Sequence, residues 1–287
     1  MTQPKVLLMD GMGLLFRGFF ATSVYGNYMY NQQGVPTNGV YGMIKHFLSA
    51  IDTFQPTHVM CCWDTSSHTF RTRLYPAYKA KRPEPPEELL PQFAMAKTVM
   101  DEAFAVPNIG IEDLEADDCI GTIAKALTPE HDVVILTADQ DMLQLIESHI
   151  HVALMKKGIG NYEMHTEQTF IEKKGYRPDQ VIDMKGLMGD SSDNYPGVKG
   201  IGEKTACALL RQYGTVETIL QHLDELPKGV KKKIENNLEM LYISRELAKI
   251  RLDAPLTYSL SDAMWRWEKE RAVNTLKHFG INITLSV

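Results

Sequence analysis

The chain has 287 residues, 44% hydrophobic and 23% charged, the composition of a folded protein with one large domain or two modest ones. This excludes a disulfide-stapled miniprotein, a fibrous chain and a disordered one. Its 30 basic and 36 acidic residues leave a formal charge of −6, mildly unfavourable to a polyanionic partner unless the cations are gathered in one place.

Lys5-Val6-Leu7-Leu8-Met9 reads as a buried strand ending at Asp10, with no signal peptide before it. His58 to Trp63 forms a second strand ending at Asp64, and Val133 to Thr137 a third ending just before Asp139. Helical stretches between them predict a mostly parallel α/β sheet flanked by helices, whose ligands bind beyond the carboxyl ends of the strands. Three aspartates far apart in sequence therefore converge on one surface. After about Glu167 the β signal fades, and helices are expected at Val181 to Leu187, Glu203 to Gln212, Thr215 to Leu223 and Ile234 to Ile250. The expected organisation is an α/β core over 1–180, from which something projects near 66–105, a helical region over 181–260 and a tail over 261–287. Arg82-Pro83-Glu84-Pro85-Pro86 makes a stiff exposed connection, and Trp265 and Trp267 pack the tail onto the core. No apolar run approaches the ~20 residues of a membrane span. Cys61, Cys62, Cys119 and Cys207 lie in apolar stretches without a Cys-x-x-Cys, so free thiols, no zinc and a cytoplasmic location are expected.

Besides Asp10 and Asp64, acids cluster in Glu115-Ala116-Asp117-Asp118, Asp139-Gln140-Asp141 and Asp190-Ser191-Ser192-Asp193, among apolar or small neighbours. Like charges gathered at one end of a sheet need cations, and carboxylates without His or Cys suit Mg²⁺ or Mn²⁺. Two such ions about 4 Å apart suit phosphodiester hydrolysis. Taken singly, each acid has a bland reading. Asp10 or Asp64 is a turn or cap residue, Glu115 and Asp118 favour a helix N-terminus, Asp139 caps the next helix, and Asp190 to Asp193 is a polar loop. All four together weaken that reading. Periodicity puts Glu115 and Asp118 on one helix face and Asp117 off it, but a helix beginning after Asp117 would undo this, so the three are not ranked.

Between Thr65 and Pro83 stand Arg71, Arg73, Lys79, Lys81 and Arg82 with no acid, interleaved with Phe70, Tyr75 and Tyr78. Cations for phosphates and aromatic faces for unpaired bases suit nucleic acid, whereas the bland reading is a solvated helix with its aromatics inward. Gly197-Val198-Lys199-Gly200-Ile201-Gly202, leading into Glu203 and Lys204, is a tight glycine turn at a helix N-terminus, where exposed N–H groups hold a phosphate oxygen. Glu203 excludes a Walker A loop, and the absence of a preceding strand excludes a dinucleotide fingerprint. A helix-hairpin-helix loop remains, which grips a DNA backbone without reading sequence. Lys228, Lys231, Lys232 and Lys233 extend the basic surface.

These motifs, over about residues 4–255, resemble the 5'-nuclease or flap endonuclease family, in particular the 5'-3' exonuclease domain of bacterial DNA polymerase I and its standalone relatives. The signature pieces are Leu8-Met9-Asp10-Gly11, the Gly34 to Gly42 segment, Trp63-Asp64, Phe70-Arg71, Tyr78-Lys79, Arg82-Pro83, Glu115 to Asp118, Thr137 to Asp141 and Gly189 to Asn194. The resemblance implies that Asp10, Asp64, Glu115, Asp117 and Asp118 surround a first metal and Asp139, Asp141, Asp190 and Asp193 a second, with Glu115 and Asp117 weighted at least as heavily as Asp118. It further implies a helical arch over 66–105 with Lys79 and Arg82 at its base facing the scissile phosphate, Tyr78 stacking on a base, and Arg17, like Arg71 and Arg73, touching DNA. Gly197, Lys199, Gly200, Gly202 and Lys204 would hold duplex DNA, with K⁺ as a possible loop ion. Tyr195 stands where the family usually has Ile, and Glu203 where it often has Pro.

The expected activity is a Mg²⁺-dependent, structure-specific 5' nuclease acting on DNA with 5' flaps, forks or 5' ends, including RNA-primed ones, as a monomer and, at this length, without a polymerase. The alternative is a non-catalytic module that binds forked DNA through the glycine loop. A compact ribonuclease would not need the helical half, and an aspartyl-nucleophile phosphatase would want Asp-x-Asp where the chain has Asp10-Gly11-Met12.

Overall fold

A computed structural model describes residues 4–285. In chain order, β1 (Lys5–Asp10) runs into α1 (Gly11–Thr22), and α2 (Asn38–Phe54) returns to β2 (His58–Cys62). Then come α3 (Phe70–Leu74), α4 (Leu90–Thr98), β3 (Asn108–Ile109), α5 (Ala116–Leu127), β4 (Asp132–Thr137), β5 (Ile150–Met155) and β6 (Tyr162–His165). The remainder is helical: α6 (Glu167–Lys174), α7 (Val181–Met188), α8 (Glu203–Tyr213), α9 (Val216–Gln221), α10 (Lys228–Glu235), α11 (Leu238–Ala248) and α12 (Lys269–His278). No helix among the described residues is long and apolar enough to cross a membrane.

The six strands pair in the order β3-β2-β1-β4-β5-β6, parallel except for β6, which is antiparallel to β5. The central strands are continuous apolar runs because both faces of the sheet are covered. Alternation decides which residue goes where. Val6 and Leu8 pack into one layer with Cys119, Ile120 and Ile123 of α5, while Leu7 and Met9 pack into the other with Leu14, Leu15 and Met43 of α1 and α2. Helices α1 and α2 cross where Gly18 meets Gly42. A Cβ on Gly18 would lie 2.4 Å from the Met43 nitrogen, and one on Gly42 2.5 Å from the Gly18 Cα, so only hydrogen fits between the two backbones.

The helical region has its own core, in which Met184 and Leu187 of α7 meet Leu209 and Leu210 of α8, Ile234 and Leu241. Residues 234–250 do not form the single helix expected from their periodicity. Asn236 and Asn237 separate α10 from α11, as residues that favour helix ends do. The helical arch expected over 66–105 is also narrower. Leu89, Met95, Ala96, Val99 and Met100 are core residues, so α4 packs onto the α/β body, and only turns and extended chain lie between Tyr75 and Leu89. Pro76, Pro83, Pro85 and Pro86 remove the N–H groups that a helix there would need. In the tail, Trp265 meets Phe47 edge-on and Trp267 stacks on Phe104, while Arg271 of α12 donates to the carbonyls of Asp101 and Glu102.

One buried cation joins the parts. Arg71 of α3 is 2% exposed and donates from Nη1 and Nη2 to the two carboxylate oxygens of Asp118 at 2.7 and 2.8 Å. Its Nε reaches the Leu247 carbonyl at 2.9 Å and Nη2 the Lys249 carbonyl at 2.8 Å, so it ties α5 to the segment that leaves α11. Asp118 also accepts the Arg251 N–H at 2.8 Å. Removing one member strands a buried charge, so Arg71→Met is expected to cost about 3–5 kcal/mol in urea unfolding. Combining it with Asp118→Leu is expected to recover part of that loss, because neither charge is then left alone.

Candidate active site

Strands β1, β2 and β4 lie side by side in a register that pairs Asp10 with Cys62 and Met9 with Leu136, so their carboxyl ends coincide. Asp10, Asp64 and Asp139 are thereby brought to one edge of the sheet, as expected. Each is also a capping residue. Asp10 accepts the Gly13 N–H at 2.8 Å on one oxygen and the Thr137 hydroxyl at 3.0 Å on the other. Asp64 accepts the Ala116 N–H at 2.7 Å and Asp139 the Asp141 N–H at 2.9 Å. Capping does not exhaust these residues, because a carboxylate has more lone pairs than one N–H uses.

They line a cleft of about 930 Å³ together with Glu115, Asp117, Asp141 and Asp190. Helix α5 begins at Ala116 with Glu115 as its N-cap residue, which separates the acids of the Glu115 to Asp118 run. Asp117 faces the cleft and makes no hydrogen bond among the described residues. Asp118 turns back, accepts the Glu115 N–H at 3.0 Å and is fully buried on Arg71. Asp118 is therefore a structural residue, in correction of the expectation that it surrounds a metal: its oxygens are taken by Arg71, Glu115 and Arg251. The spacing Glu-x-x-Asp across a helix start carried this signal. Asp193 is buried behind the cleft, paired with Arg82.

Three cations face these acids. Lys79 Nζ lies 3.0 Å from Glu115 Oε1, Arg82 pairs with Asp193, and Lys185 bridges Asp141 and Asp190. Lys185 was missed in the sequence; it lies on α7, five positions before Asp190, and the turn at Gly189 brings the two together. The base of the projecting segment interlocks with the acidic loop. The Lys79 N–H donates to the Asp193 carbonyl at 2.9 Å, and the Asn194 amide donates to the Ala77 carbonyl at 2.7 Å. Lys79 and Asn194 both have left-handed backbones, with φ of 57° and 61°, a conformation held for a lysine only by such surrounding bonds.

The cations do not balance the acids. Burial, with the charges of Asp64 and Asp139, raises Asp10 to about 6 against the bonds from Gly13 and Thr137. Burial and Asp139 raise Asp141 to about 7 against Lys185. Burial, Asp139 and Asp10 push Asp117 well above the carboxylate range. Asp190 differs: burial opposes its charge, but Lys185 and Ser192 outweigh it and bring the group to about 2. Excess negative charge, an all-oxygen donor set and no His or Cys in the lining fit a hard divalent cation. Among the described residues, no three acidic, His or Cys side chains already close on one point as a cage.

The expected DNA contacts divide. Lys199, Gly200, Gly202 and Lys204 are exposed on the loop before α8, whose first turn has no side-chain cap; Gly197 is buried, and φ of 61° and 85° at Gly197 and Gly200 makes the turn. Arg73 is exposed and paired with Asp113. Arg71 is corrected: buried on Asp118, its guanidinium is closed to a phosphate. Tyr78 is 5% exposed and donates to Glu115 at 3.2 Å, so its ring stacks on Tyr195 and not on a base. Arg17 does not line the cleft; it is half-buried beside His46, which burial and Arg17 together lower to about 4.

Asp10 offers a test of the electrostatics. A carboxyl whose folded pKa is raised from 3.8 to about 6 loses its contribution to stability as pH rises through that window. In EDTA, Asp10→Asn is therefore expected to melt a few degrees above the parent near neutral pH, with the gap narrowing below pH 6 and closing only near pH 4, as thermal unfolding across that range will show.

Residues 5–175 match the family described as 5'-3' exonuclease, N-terminal resolvase-like domain, and residues 176–271 match the 5'-3' exonuclease, C-terminal SAM fold. The chain is 52% identical over 281 residues to a 5'-3' exonuclease of Bacillus subtilis (strain 168), covering 98% of this chain and 95% of that one. It is 40% identical over 282 residues to DNA polymerase I of Bacillus caldotenax, covering 97% of this chain but 32% of the polymerase. Its fold is similar to the T5 5'-exonuclease solved with divalent metal ions (zinc), with a TM-score of 0.71, 21% identity and coverage of 96% and 98%. It is also similar to flap endonuclease-1 from Methanococcus jannaschii, with a TM-score of 0.60, 18% identity and coverage of 98% and 88%. Matches to both parts of the family, over a chain that carries its acids at the carboxyl edge of a parallel sheet, show that this protein belongs to the 5'-3' exonuclease family.

Proposed function

We propose that the protein is a Mg²⁺-dependent 5' nuclease that hydrolyses DNA near the junction of a 5' single strand and a duplex, leaving a 5'-phosphate and a 3'-hydroxyl. The observation that carries this reading is the cleft lined by Asp10, Asp64, Glu115, Asp117, Asp139, Asp141 and Asp190, three of whose carboxyls are raised by burial and by one another's charge. Asp10, Asp64, Glu115 and Asp117 would hold one ion and Asp139, Asp141, Asp190 and Asp193 another; bound there, the ions supply an activated water and positive charge opposite the scissile phosphate. Mn²⁺ would substitute for Mg²⁺, since both favour oxygen ligands.

The protein's own part is positioning and charge. Lys79 and Arg82 stand at the rim of the cleft, on a turn locked to the acidic loop, and would face the phosphate as fixed positive charges. Lys199 and Lys204, with the N–H groups at the start of α8, would grip duplex backbone, with K⁺ as the ion proposed for that loop. The same phosphate contacts would accept RNA-primed 5' ends. Action as a monomer belongs to the same proposal, and a cytoplasmic location is supported by four free thiols, three of them buried. Family membership and the filled acid positions favour catalysis over a module that only binds forked DNA.

The test is a denaturing-gel assay with a 5'-labelled flap DNA in Mg²⁺, beside EDTA and Asp117→Asn controls. The Asp117 side chain makes no hydrogen bond among the described residues, so its amide variant is expected to fold while losing about a hundredfold or more in cleavage. Tight binding of intact DNA by the parent in Mg²⁺ would overturn the proposal. Lys79→Ala is expected to slow single-turnover cleavage more than it weakens DNA binding; the reverse ranking would make Lys79 a phosphate contact only.

A further inference from the structure

A fourth cation lines the acidic cleft. Lys174, the last residue of α6, is half-buried there beside Tyr176 and Glu203. Lys79, Arg82 and Lys185 are each paired with a carboxylate of the site, whereas the Lys174 ammonium makes no ion pair or hydrogen bond among the described residues. The ordinary use of a lysine at a helix C-terminus is to answer the last carbonyls of the helix. Here α8 does that instead. Arg211 donates from Nε to the Gly175 carbonyl at 2.9 Å and from Nη2 to the Lys174 carbonyl at 3.5 Å, and Cys207 Sγ lies 3.9 Å from the same Lys174 oxygen. Gly175 ends α6 with φ of 75°, and a Cβ there would lie 1.8 Å from Arg211 Nη2, so glycine admits the guanidinium. The backbone of Lys174 is thus fixed from α8 while its ammonium is left over.

Its place in the fold says what it is left for. Glu203, Cys207 and Arg211 recur every fourth residue on α8 and share one face, which runs along the end of α6. Glu203, the first residue of α8, lines the cleft, and Gly202 and Lys204 on either side of it are exposed on the glycine loop. Lys174 therefore stands between the carboxylates and that loop. Resting on the nuclease reading above, we infer that Lys174 is a substrate-binding residue: its ammonium pairs with one phosphate of the duplex, between the scissile phosphate in the cleft and the phosphates held at the glycine loop. An ammonium on a flexible stem meets a phosphate as a point charge and reads no base. Glu203, exposed and likewise without an ion pair among the described residues, would repel a phosphate, and the uncommitted charge of Lys174 offsets it on the strand's way to the loop.

In the slowly cleaving Asp117→Asn background with Mg²⁺, fluorescence anisotropy with a 5' flap DNA is expected to show Lys174→Ala binding about fivefold more weakly at about 0.1 M salt, with the slope of log Kd against log salt reduced by about one. Lys174→Arg is expected to restore both. Lys173→Ala removes the same charge one position away, where Lys173 is paired with Glu163 and lies outside the cleft, and is expected to change neither. Without the Asp117 change, Lys174→Ala is expected to keep single-turnover cleavage at saturating enzyme within about twofold, so that the loss falls on binding. A neutral methylphosphonate moved along the duplex locates the contact: at one position it weakens binding when Lys174 is present and adds nothing to Lys174→Ala. Equal weakening by Lys173→Ala and Lys174→Ala would overturn the inference, as would an unchanged salt slope for Lys174→Ala or the lack of any such methylphosphonate position. Failure of the protein with Lys174 intact to bind flap DNA at all would instead overturn the nuclease reading on which it rests.

Discussion

The bidentate pair between Arg71 and Asp118 is the constraint on which the rest of the molecule depends. Asp118 belongs to the first turn of α5, and the same turn presents Asp117 to the cleft and Glu115 to Lys79 and Tyr78. Arg71 begins the segment that carries Lys79 and Arg82, and its remaining N–H groups hold the carbonyls of Leu247 and Lys249, where the helical region returns to the body. One guanidinium thus fixes the acids, the basic turn and the helical region relative to each other. Its five donors in a rigid fork suit this task in a way that an ammonium would not.

Around that joint the cleft holds more negative charge than the chain neutralises. Folding has buried carboxylates that also raise one another, and the three cations that answer them come from two places, Lys79 and Arg82 from one turn and Lys185 from α7. A site of this kind is stabilised by whatever brings positive charge to it. The proposed function and the electrostatic strain of the fold therefore rest on the same residues, and the helix caps that pin Asp10, Asp64 and Asp139 keep those acids from turning away from one another.

Much of this was legible in the sequence because it is local. Continuous apolar runs ending at Asp10, Asp64 and Asp139 identify buried strands and the end of the sheet at which the acids meet, and the glycines from Gly197 to Gly202 identify the turn before α8. What escaped depends on partners far away in the chain. Arg71 sits in a basic and aromatic tract that reads as a DNA surface, and only the return of residues 247–251 shows that it is interior. Asp118 was grouped with its neighbours because a run of acids does not tell which of them the helix start will turn inward. Tyr78 was read outward for the same reason. Lys185 has no local signal at all, since its meeting with Asp141 spans the whole of β5, β6 and α6.

The caps on the acidic residues have a consequence for ion selection. Asp10, Asp64, Asp139 and Asp190 each have an oxygen held by a backbone N–H, so their rotamers are frozen when the chain folds and little side-chain entropy remains to be lost on binding. Oxygens held at fixed spacings suit a narrow range of ionic radii, whereas a flexible set adapts to many. At the proposed metal site, small ions with strict octahedral preference would be favoured over larger ones that accept irregular shells. Asp117, with no such bond among the described residues, would be the adjustable member, and discrimination between ions of similar charge would fall to the contrast between one free carboxylate and four anchored ones.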